Sequence, residues 1–239
     1  MGHGWQGAVL KLMRGRDFTF TVRANERISG RLHRLSFTDG GMLRETGIHP
    51  TMWVRLWFDN HGRPHQRGYT LVEPDPAAGT FGIDFVLHAG CASDWARAAR
   101  PGDTIEATVQ GSAFGVPDPL PSRLLMVGDA ASRPAIDSLL DAMPLTAATI
   151  WFETSHPEDT EHVLRHRTAG RELVPVPRRD GGAHLAQTVR SELPDRLTPD
   201  AFVWIACDTA TTRTLASFAR KQLSVPKERL YALGYWRDA

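Results

Sequence analysis

Apolar and polar positions alternate along the first half of the chain and gather into blocks along the second. Residues 17–23 (DFTFTVR) alternate one for one, as a strand with one buried face requires. The same period runs, less cleanly, through 27–37, where Ile28, Leu32 and Leu35 are the anchors. It returns in 79–88, where Phe81, Ile83, Phe85 and Leu87 fall on every second position. Residues 52–58 (MWVRLWF) are rich in the aromatic and branched types that strands favour, and 69–73 and 104–110 complete a set of six. A short helix is expected over 93–99. Gly, Pro and Asp separate these runs, and 59–66 reads as a polar loop. The expected architecture is a six-stranded antiparallel barrel, closed or nearly so.

The texture then changes. Pro117, Pro119 and Pro121 mark a linker over 117–122, which separates an expected barrel domain, 1–116, from a second domain, 123–239. In the second domain strands at 124–127, 148–153, 173–176, 202–207 and 229–235 alternate with helices at 134–142, 157–167, 184–193 and 209–223. That order implies an α/β domain, a parallel sheet with helices on both faces. Ligands of such sheets bind at the carboxyl ends of the strands, which directs attention to Gly128-Asp129, Cys207-Asp208 and the chain end.

Composition narrows the function classes. Twenty-eight basic against 27 acidic residues leave a net charge of +1, which argues against bulk nucleic-acid binding. Arginine far outnumbers lysine, so an anion site here is an arginine fork. No apolar run approaches the roughly 20 residues of a membrane helix, and residues 1–6 carry no apolar signal core. Cys91 and Cys207 are far apart and lack metal-ligand spacing, so a cytoplasmic compartment and no metal site are expected.

The chemistry centres on Arg67-Gly68-Tyr69-Thr70. Arg-x-Tyr-Ser/Thr is similar to the pattern with which flavin-binding barrels of the ferredoxin-reductase type hold their cofactor. On a strand, Arg67 and Tyr69 share a face. A guanidinium presents a planar fork to a pyrophosphate, a tyrosine ring stacks on a flat cofactor, and the Thr70 hydroxyl suits the ring edge. The alternative is a half-buried strand with a surface arginine. A second segment ends a strand at His88, turns at Gly90 and begins a helix near Ser93. Free N–H groups at a helix start form an anion site, and a Ser93 cap is compatible with that use. His88 is either a cofactor contact or a structural residue.

Residues 67–134 resemble the siderophore-interacting proteins, flavin-containing ferric-siderophore reductases of bacteria. The resemblance rests on Arg67, Tyr69 and Thr70; on Asp84 to His88 (DFVLH); on Gly90, Ala92, Ser93, Trp95 and Ala96; and on Pro101-Gly102-Asp103. It continues in residues 124–129 (LLMVGD) with Pro134-Ala135-Ile136, and in the ending Gly234-Tyr235-Trp236-Arg237. Residues 4–17 are similar to the reductase domain that fronts the mycobacterial mycobactin importer, an ABC transporter.

The resemblance implies a ferredoxin-reductase-like fold, an FAD barrel followed by an NAD(P)H-binding-like domain with an open cleft between them. FAD would be held by Arg67, Gly68, Tyr69, Thr70, Asp84, Val86, His88, Gly90, Ala92, Ser93 and Trp95. No covalent catalytic residue is expected. Asp129, Arg133, Cys207, Asp208, Arg213, Trp236 and Arg237 are candidates toward a nucleotide or the substrate. The implied partners are a ferric siderophore (mycobactin-like), NADPH or NADH as reductant, and a siderophore ABC transporter, which would place the chain at the cytoplasmic face of the inner membrane.

Departures from the family pattern also count. The family's Glu-Thr-Ala after Gly128-Asp129 is Ala130-Ala131-Ser132 here, followed by Arg133, and its Ala-Gly-Glu is Ala206-Cys207-Asp208. Both changes fall where a pyridine nucleotide would approach. Cys207 is either near a nicotinamide or a buried small hydrophobe. A non-catalytic siderophore-binding or transporter-docking domain, and a general NAD(P)H:flavin oxidoreductase, are the alternative functions. His162 and His166, with His156 nearby, read as a helix face rather than a metal site. His61 and His65 read as loop residues, and Arg213, Arg220 and Lys221 as a solvated helix face.

Overall fold

The alternating runs of the first half become a curled antiparallel sheet in the computed structural model, which describes residues 15–160 and 170–237. Its elements are β1 (Arg16–Arg27), β2 (Leu32–Thr38), α1 (Met42–Thr46), β3 (Trp53–Asn60), β4 (Arg63–Thr70), β5 (Val72–Asp75), β6 (Thr80–Val86), α2 (Cys91–Ala98) and β7 (Thr104–Val109). Among the described residues the sheet has seven strands, in the order β4-β3-β7-β1-β2-β6-β5.

Seven strands replace the expected six for local reasons. His61 and Gly62 take positive φ values of 52° and 78° and close a tight hairpin, so the expected loop over 59–66 is a turn between paired strands. The run expected as one strand over 69–73 is divided. Leu71 gives its N–H to Met52 O at 2.8 Å, and from Val72 the chain pairs with β6 instead of β3. The run over 27–37 is likewise broken, because Ile28 and Ser29 both donate to Leu32 O and turn the chain there.

β4 is one edge of this sheet, yet the Tyr69 ring lies 4.6 Å from Phe85 on β6, beside the other edge. The sheet therefore curls into a half-barrel with side chains meeting across its interior. Phe20, Phe37 and Phe81 fill the middle, with ring centroids 4.9–6.3 Å apart. Each such buried side chain contributes about 1.5–3 kcal/mol. Helix α2 packs Trp95 onto Phe37, Phe58 and Phe85. Its last turn is held by the Asn25 amide, which donates to the carbonyls of Ala96 and Ala99.

The first compact unit is Met1–Gly115 and the second is Val116–Ala239. The second contains β8 (Arg123–Asp129), α3 (Arg133–Ala142), β9 (Ala147–Thr154), β10 (Arg171–Pro177), α4 (Ala183–Arg196), β11 (Phe202–Ala206), α5 (Thr209–Lys221) and β12 (Leu230–Ala232). Its described strands pair in parallel in the order β10-β9-β8-β11-β12. Leu185, Val189 and Leu193 of α4 and Leu215 and Phe218 of α5 pack with Val127, Trp151 and Ile205.

The strand expected over 229–235 stops at Ala232, and beyond it the chain stays beside β11 and the residues after it through Leu233 N–H to Ile205 O, Tyr235 N–H to Cys207 O and Thr209 N–H to Trp236 O. Of the helix expected over 157–167, Pro157–Thr160 is a single 3-10 turn; the remainder, with His162 and His166, lies outside the described residues, as does most of 4–17. No described helix is long and apolar enough to cross a membrane.

Gly128 fixes the approach of α3 to the sheet. A Cβ there would lie 2.5 Å from Ser132 Oγ and 2.6 Å from Ile136 Cδ1. Gly128→Ala is expected to lower stability by about 1–3 kcal/mol, the usual cost of overpacking. Equilibrium urea unfolding measures it, and an unchanged midpoint would show that the helix yields freely.

Candidate functional site

In β4, Tyr69 lies opposite Val54 and Arg67 opposite Leu56, so the two share one face as alternation predicts. The face leads outward along the strand. Val54 and Leu56 are fully buried, Tyr69 is half-buried and Arg67 is exposed. The Tyr69 ring rests on Phe58 and Phe85. Burial raises its phenol pKa; the nearby Arg67 charge acts to lower it, while the Cys91 thiol adds to the rise. Arg67 on β4 and Cys91 at the start of α2 thus both act electrostatically on the Tyr69 phenol. The Arg67 guanidinium gives one hydrogen bond, to Gln66 O at 3.0 Å, and its other donors are unpaired among the described residues.

Gly68 and Thr70 turn to the other face, where a Cβ on Gly68 would touch the Trp53 ring at 3.5 Å. The Thr70 hydroxyl is buried and has no hydrogen-bond partner among the described residues. A buried hydroxyl left without a partner carries a desolvation cost of roughly 1–3 kcal/mol.

Helix α2 begins at Cys91, two residues before the expected start. Its N-cap is Gly90, at φ 135°, and no side chain caps the first N–H groups. Ser93 is not the cap. It is buried, and its Oγ accepts the His88 N–H at 3.1 Å, tying the strand end to the helix. His88 itself is exposed, with Nδ1 2.7 Å from Ala89 O. Arg97, which the sequence did not single out, reaches Asp94 at 2.9 Å and His88 O at 3.4 Å.

The side chains of the other expected contacts have the following surroundings. Asp84 is on the sheet face opposite Phe85, and Arg34 holds both its oxygens at 2.6 and 2.9 Å, so its carboxylate is occupied. Val86 shares that face by alternation. Ala92 is core, and Trp95 is half-buried against three aromatic rings, so both serve packing. His65 is half-buried within β4 rather than in a loop.

In the second unit, three strands end in acids. Asp129 closes β8, Glu153 sits one residue from the end of β9, and Asp208 follows β11; all three are buried. Arg178 serves two of them, at 2.5 Å from Glu153 Oε2 and 3.5 Å from Asp208 Oδ2. Its guanidinium lies 4.7 Å over the Trp236 ring, whose Nε1 donates to Asp129 Oδ2 at 2.6 Å. Burial raises the pKa of Asp129 against the hydrogen bonds of Trp236, Ser132 and Ala131. Burial raises Glu153 too, with Arg178 opposing and the charges of Asp129 and Asp208 adding. Asp208 caps α5 through Oδ1, which accepts the N–H groups of Ala210 and Thr211 at 2.9 Å.

Cys207 is completely buried with Sγ 3.4 Å from Thr212 Oγ1, and burial pushes its thiol far up, so it is a packing residue beneath the strand end. Arg133 is buried in the first turn of α3, not displayed toward a ligand. The structure does bring Arg213, Trp236 and Arg237 together, along one groove of about 480 Å³ between α5 and the segment after β12. Glu153 and Arg178 were missed, although the strand-end rule that selected Asp129 and Asp208 applies equally to β9.

A half-barrel followed by a five-stranded parallel sheet is the ferredoxin-reductase class of fold. A ferredoxin-NADP+ reductase from Neisseria gonorrhoeae, solved with bound FAD and NADP, superposes with a TM-score of 0.69 at 14% identity, over 92% of this chain and 99% of that one. The siderophore-interacting protein from Acinetobacter baumannii superposes with a TM-score of 0.79 at 21% identity, over 94% and 92%. The family model "Siderophore-interacting protein" matches residues 121–239, and "Siderophore-interacting FAD-binding domain" matches 46–111.

The chain belongs to the siderophore-interacting protein family. It is 31% identical to the mycobactin import ATP-binding/permease protein IrtA of Mycolicibacterium smegmatis over 254 aligned residues, which is all of this chain and 28% of the relative's length. It is also 26% identical to the ferric acinetobactin reductase of Acinetobacter baumannii, over 79% of this chain and 67% of that one.

Proposed function

We propose that this chain is an FAD-dependent ferric-siderophore reductase that releases iron by converting Fe(III) to Fe(II). The observation that carries the flavin site is the exposed Arg67 fork beside the Tyr69 ring on one face of β4; an uncapped helix start and a buried hydroxyl that lacks a partner in the same unit support it. Arg67 would bind the pyrophosphate, with the first N–H groups of α2 as a second anchor. The exposed part of the Tyr69 ring would meet the flavin, and its raised pKa keeps it a neutral phenol. Thr70 would find its partner on the flavin edge. The residues present therefore fit the cofactor. A bound flavin supplies the exchange between a two-electron donor and the single electrons that Fe(III) accepts. NADPH or NADH would be the donor, and the siderophore's identity and the transporter association follow by analogy with the relatives.

Purified protein is expected to be yellow and to release FAD on denaturation. After chemical reduction under argon, its flavin absorbance is expected to return on addition of a ferric siderophore, ferric mycobactin and a catecholate complex being the first to try. Protein that takes up no added FAD, or reduced protein that no ferric siderophore reoxidises, would end this reading.

One feature favours a second reading, a siderophore-binding or docking domain without turnover. Three buried acids at the strand ends, two of them served by Arg178, oppose an anionic dinucleotide there. Stopped-flow mixing of the oxidised flavoprotein with NADPH and NADH separates the two, since only the reductase bleaches.

A further inference from the structure

We propose that Ser112 and His49 form a nucleophile–base pair that hydrolyses carboxylic esters, a second activity housed in the first unit and needing no cofactor. Ser112 Oγ lies 3.2 Å from His49 Nε2, and His49 Nδ1 lies 2.7 Å from Pro50 O. A carbonyl oxygen can only accept, so Nδ1 carries the ring proton and Nε2 is left as the acceptor. The serine hydroxyl therefore donates to an unprotonated nitrogen. A base held in one tautomer by a third group is the arrangement that activates a hydroxyl for attack. Here the third group is a backbone carbonyl. It fixes the ring as a carboxylate would but stabilises the protonated imidazole less, so turnover is expected to be slow.

The backbone on both sides is shaped around this pair. His49 opens the turn His49-Pro50-Thr51-Met52, closed by Met52 N–H to His49 O at 3.2 Å. Pro50 presets the second position of the turn. Thr51, at the third, takes a φ of 60° although it is branched at Cβ and buried. A branched residue is strained in that region, where glycine is at ease, and strain of this kind gathers at functional sites. Gly111, at φ 73°, leads into Ser112 beyond the end of β7. The Trp53 N–H donates to Ser112 Oγ at 3.0 Å and fixes the oxygen against the start of β3. That bond alone would fasten the loop; fastening requires neither a histidine nor its fixed tautomer. Both side chains are half-buried, within reach of a small substrate. The N–H groups of Ser112 and Ala113 make no hydrogen bond among the described residues and are free to receive an oxyanion.

Arg55 sets the substrate class. Its guanidinium lies 4.4 Å over the Trp53 ring and 3.5 Å from Gln110 Oε1, and it has no acidic partner among the described residues. Residues adjoining the pair thus carry an unanswered cation, which favours an ester with an anionic group on its acyl part.

In the reaction, Ser112 Oγ bonds to the ester carbonyl carbon as its proton passes to His49 Nε2. The bond to the alcohol oxygen then breaks, and that oxygen leaves with the proton from Nε2. Water attacks the acyl-serine in the same way, giving a proton to His49 that returns to Ser112 Oγ as the carboxylic acid departs. Ester and water become acid and alcohol.

The test treats the full chain with a fluorophosphonate probe, locates the adduct by mass spectrometry, and follows nitrophenolate release from p-nitrophenyl hydrogen succinate and p-nitrophenyl acetate. The unaltered protein is expected to be phosphonylated at Ser112 and to release a burst of nitrophenolate before slow turnover. Ser112→Ala is expected to lose adduct and burst, and His49→Gln to slow both at least about 100-fold, with circular dichroism and thermal melts reporting the fold. Ser112→Cys keeps a nucleophile in place should the alanine variant fail to fold, and is expected to hold the acyl group long enough to register as a mass increase. The succinate ester is expected to react faster than the acetate, and Arg55→Gln to remove the difference. No adduct on the unaltered protein, an adduct on a different residue, or hydrolysis that ignores both Ser112→Ala and His49→Gln overturns the activity. Equal rates for the two esters overturn the anionic substrate class. Neither flavin nor siderophore enters these measurements, so their outcome is independent of the reductase reading.

Discussion

Arg67→Ala protein is expected to leave purification colourless, or nearly so, with its fold intact. Arg67 is exposed and its guanidinium makes a single hydrogen bond, to a neighbouring carbonyl. Removing it changes folding stability by no more than about 0.5 kcal/mol, as for other surface positions. Removing a charge-assisted contact to a pyrophosphate costs about 1.5–3 kcal/mol, or roughly 10- to 100-fold in FAD affinity. Tyr69 tests the same site differently. Its ring touches Phe58 and Phe85, so Tyr69→Ala empties both a stacking surface and a piece of the core. Tyr69→Phe keeps the ring and is expected to keep the flavin. The ratio of flavin to protein absorbance, with circular dichroism and a thermal melt, reads all three. Full flavin occupancy in both alanine variants would place the cofactor elsewhere.

Arg178→Met is expected to give the largest loss of stability, and one that depends on pH. The arginine is the counter-charge of buried Glu153 and Asp208 and lies on the Trp236 ring. Breaking a buried pair and leaving its partner uncompensated costs about 3–5 kcal/mol. In a unit of this size that is roughly 10–20 °C in melting temperature.

The sign of the pH effect follows from the raised pKa values of Asp129 and Glu153. A carboxyl group with a raised folded pKa binds its proton more tightly folded than unfolded. Its contribution is therefore most favourable below the unfolded value, near about 4, and is lost as pH rises through the folded value. Without Arg178 the rise steepens. The variant is expected to lie closer to the unaltered protein at pH 5 than at pH 8. Equal losses at both pH values, or a melting temperature within a degree of the unaltered protein at pH 8, would mean that the cluster is compensated in another way.

The stretches that the sequence read well are those whose period is enforced by a single buried face. Phe81, Ile83 and Phe85 had to point inward together, and they do. The order strand–helix–strand in the second half left little choice but a parallel sheet. What the sequence read poorly was where a run changes partners. Residues 69–73 look continuous, but Leu71 bonds back to Met52 while Val72 pairs with β6, and nothing in the local pattern announces a change of neighbour.

The candidate site divides in the same way. Arg67 and Tyr69 share a face because strand alternation requires it, and that shared face was legible from spacing alone. Asp84, Trp95, Arg133 and Cys207 belong to matching motifs, but motif membership does not say which way a side chain points. Arg34, an aromatic cluster, a helix turn and a strand interior claimed them instead. By itself the sequence determined two units, their strand periods, the family, and one exposed fork beside one aromatic ring. Only the tertiary structure decided that Asp129, Glu153 and Asp208, far apart in the chain, crowd around Arg178 and Trp236, and that Arg213, Arg220, Lys221 and Arg237 face one groove with no acid lining it among the described residues. Charge acts through space and not along the chain, so the balance of a site is set only when the strand ends that carry it have been brought together.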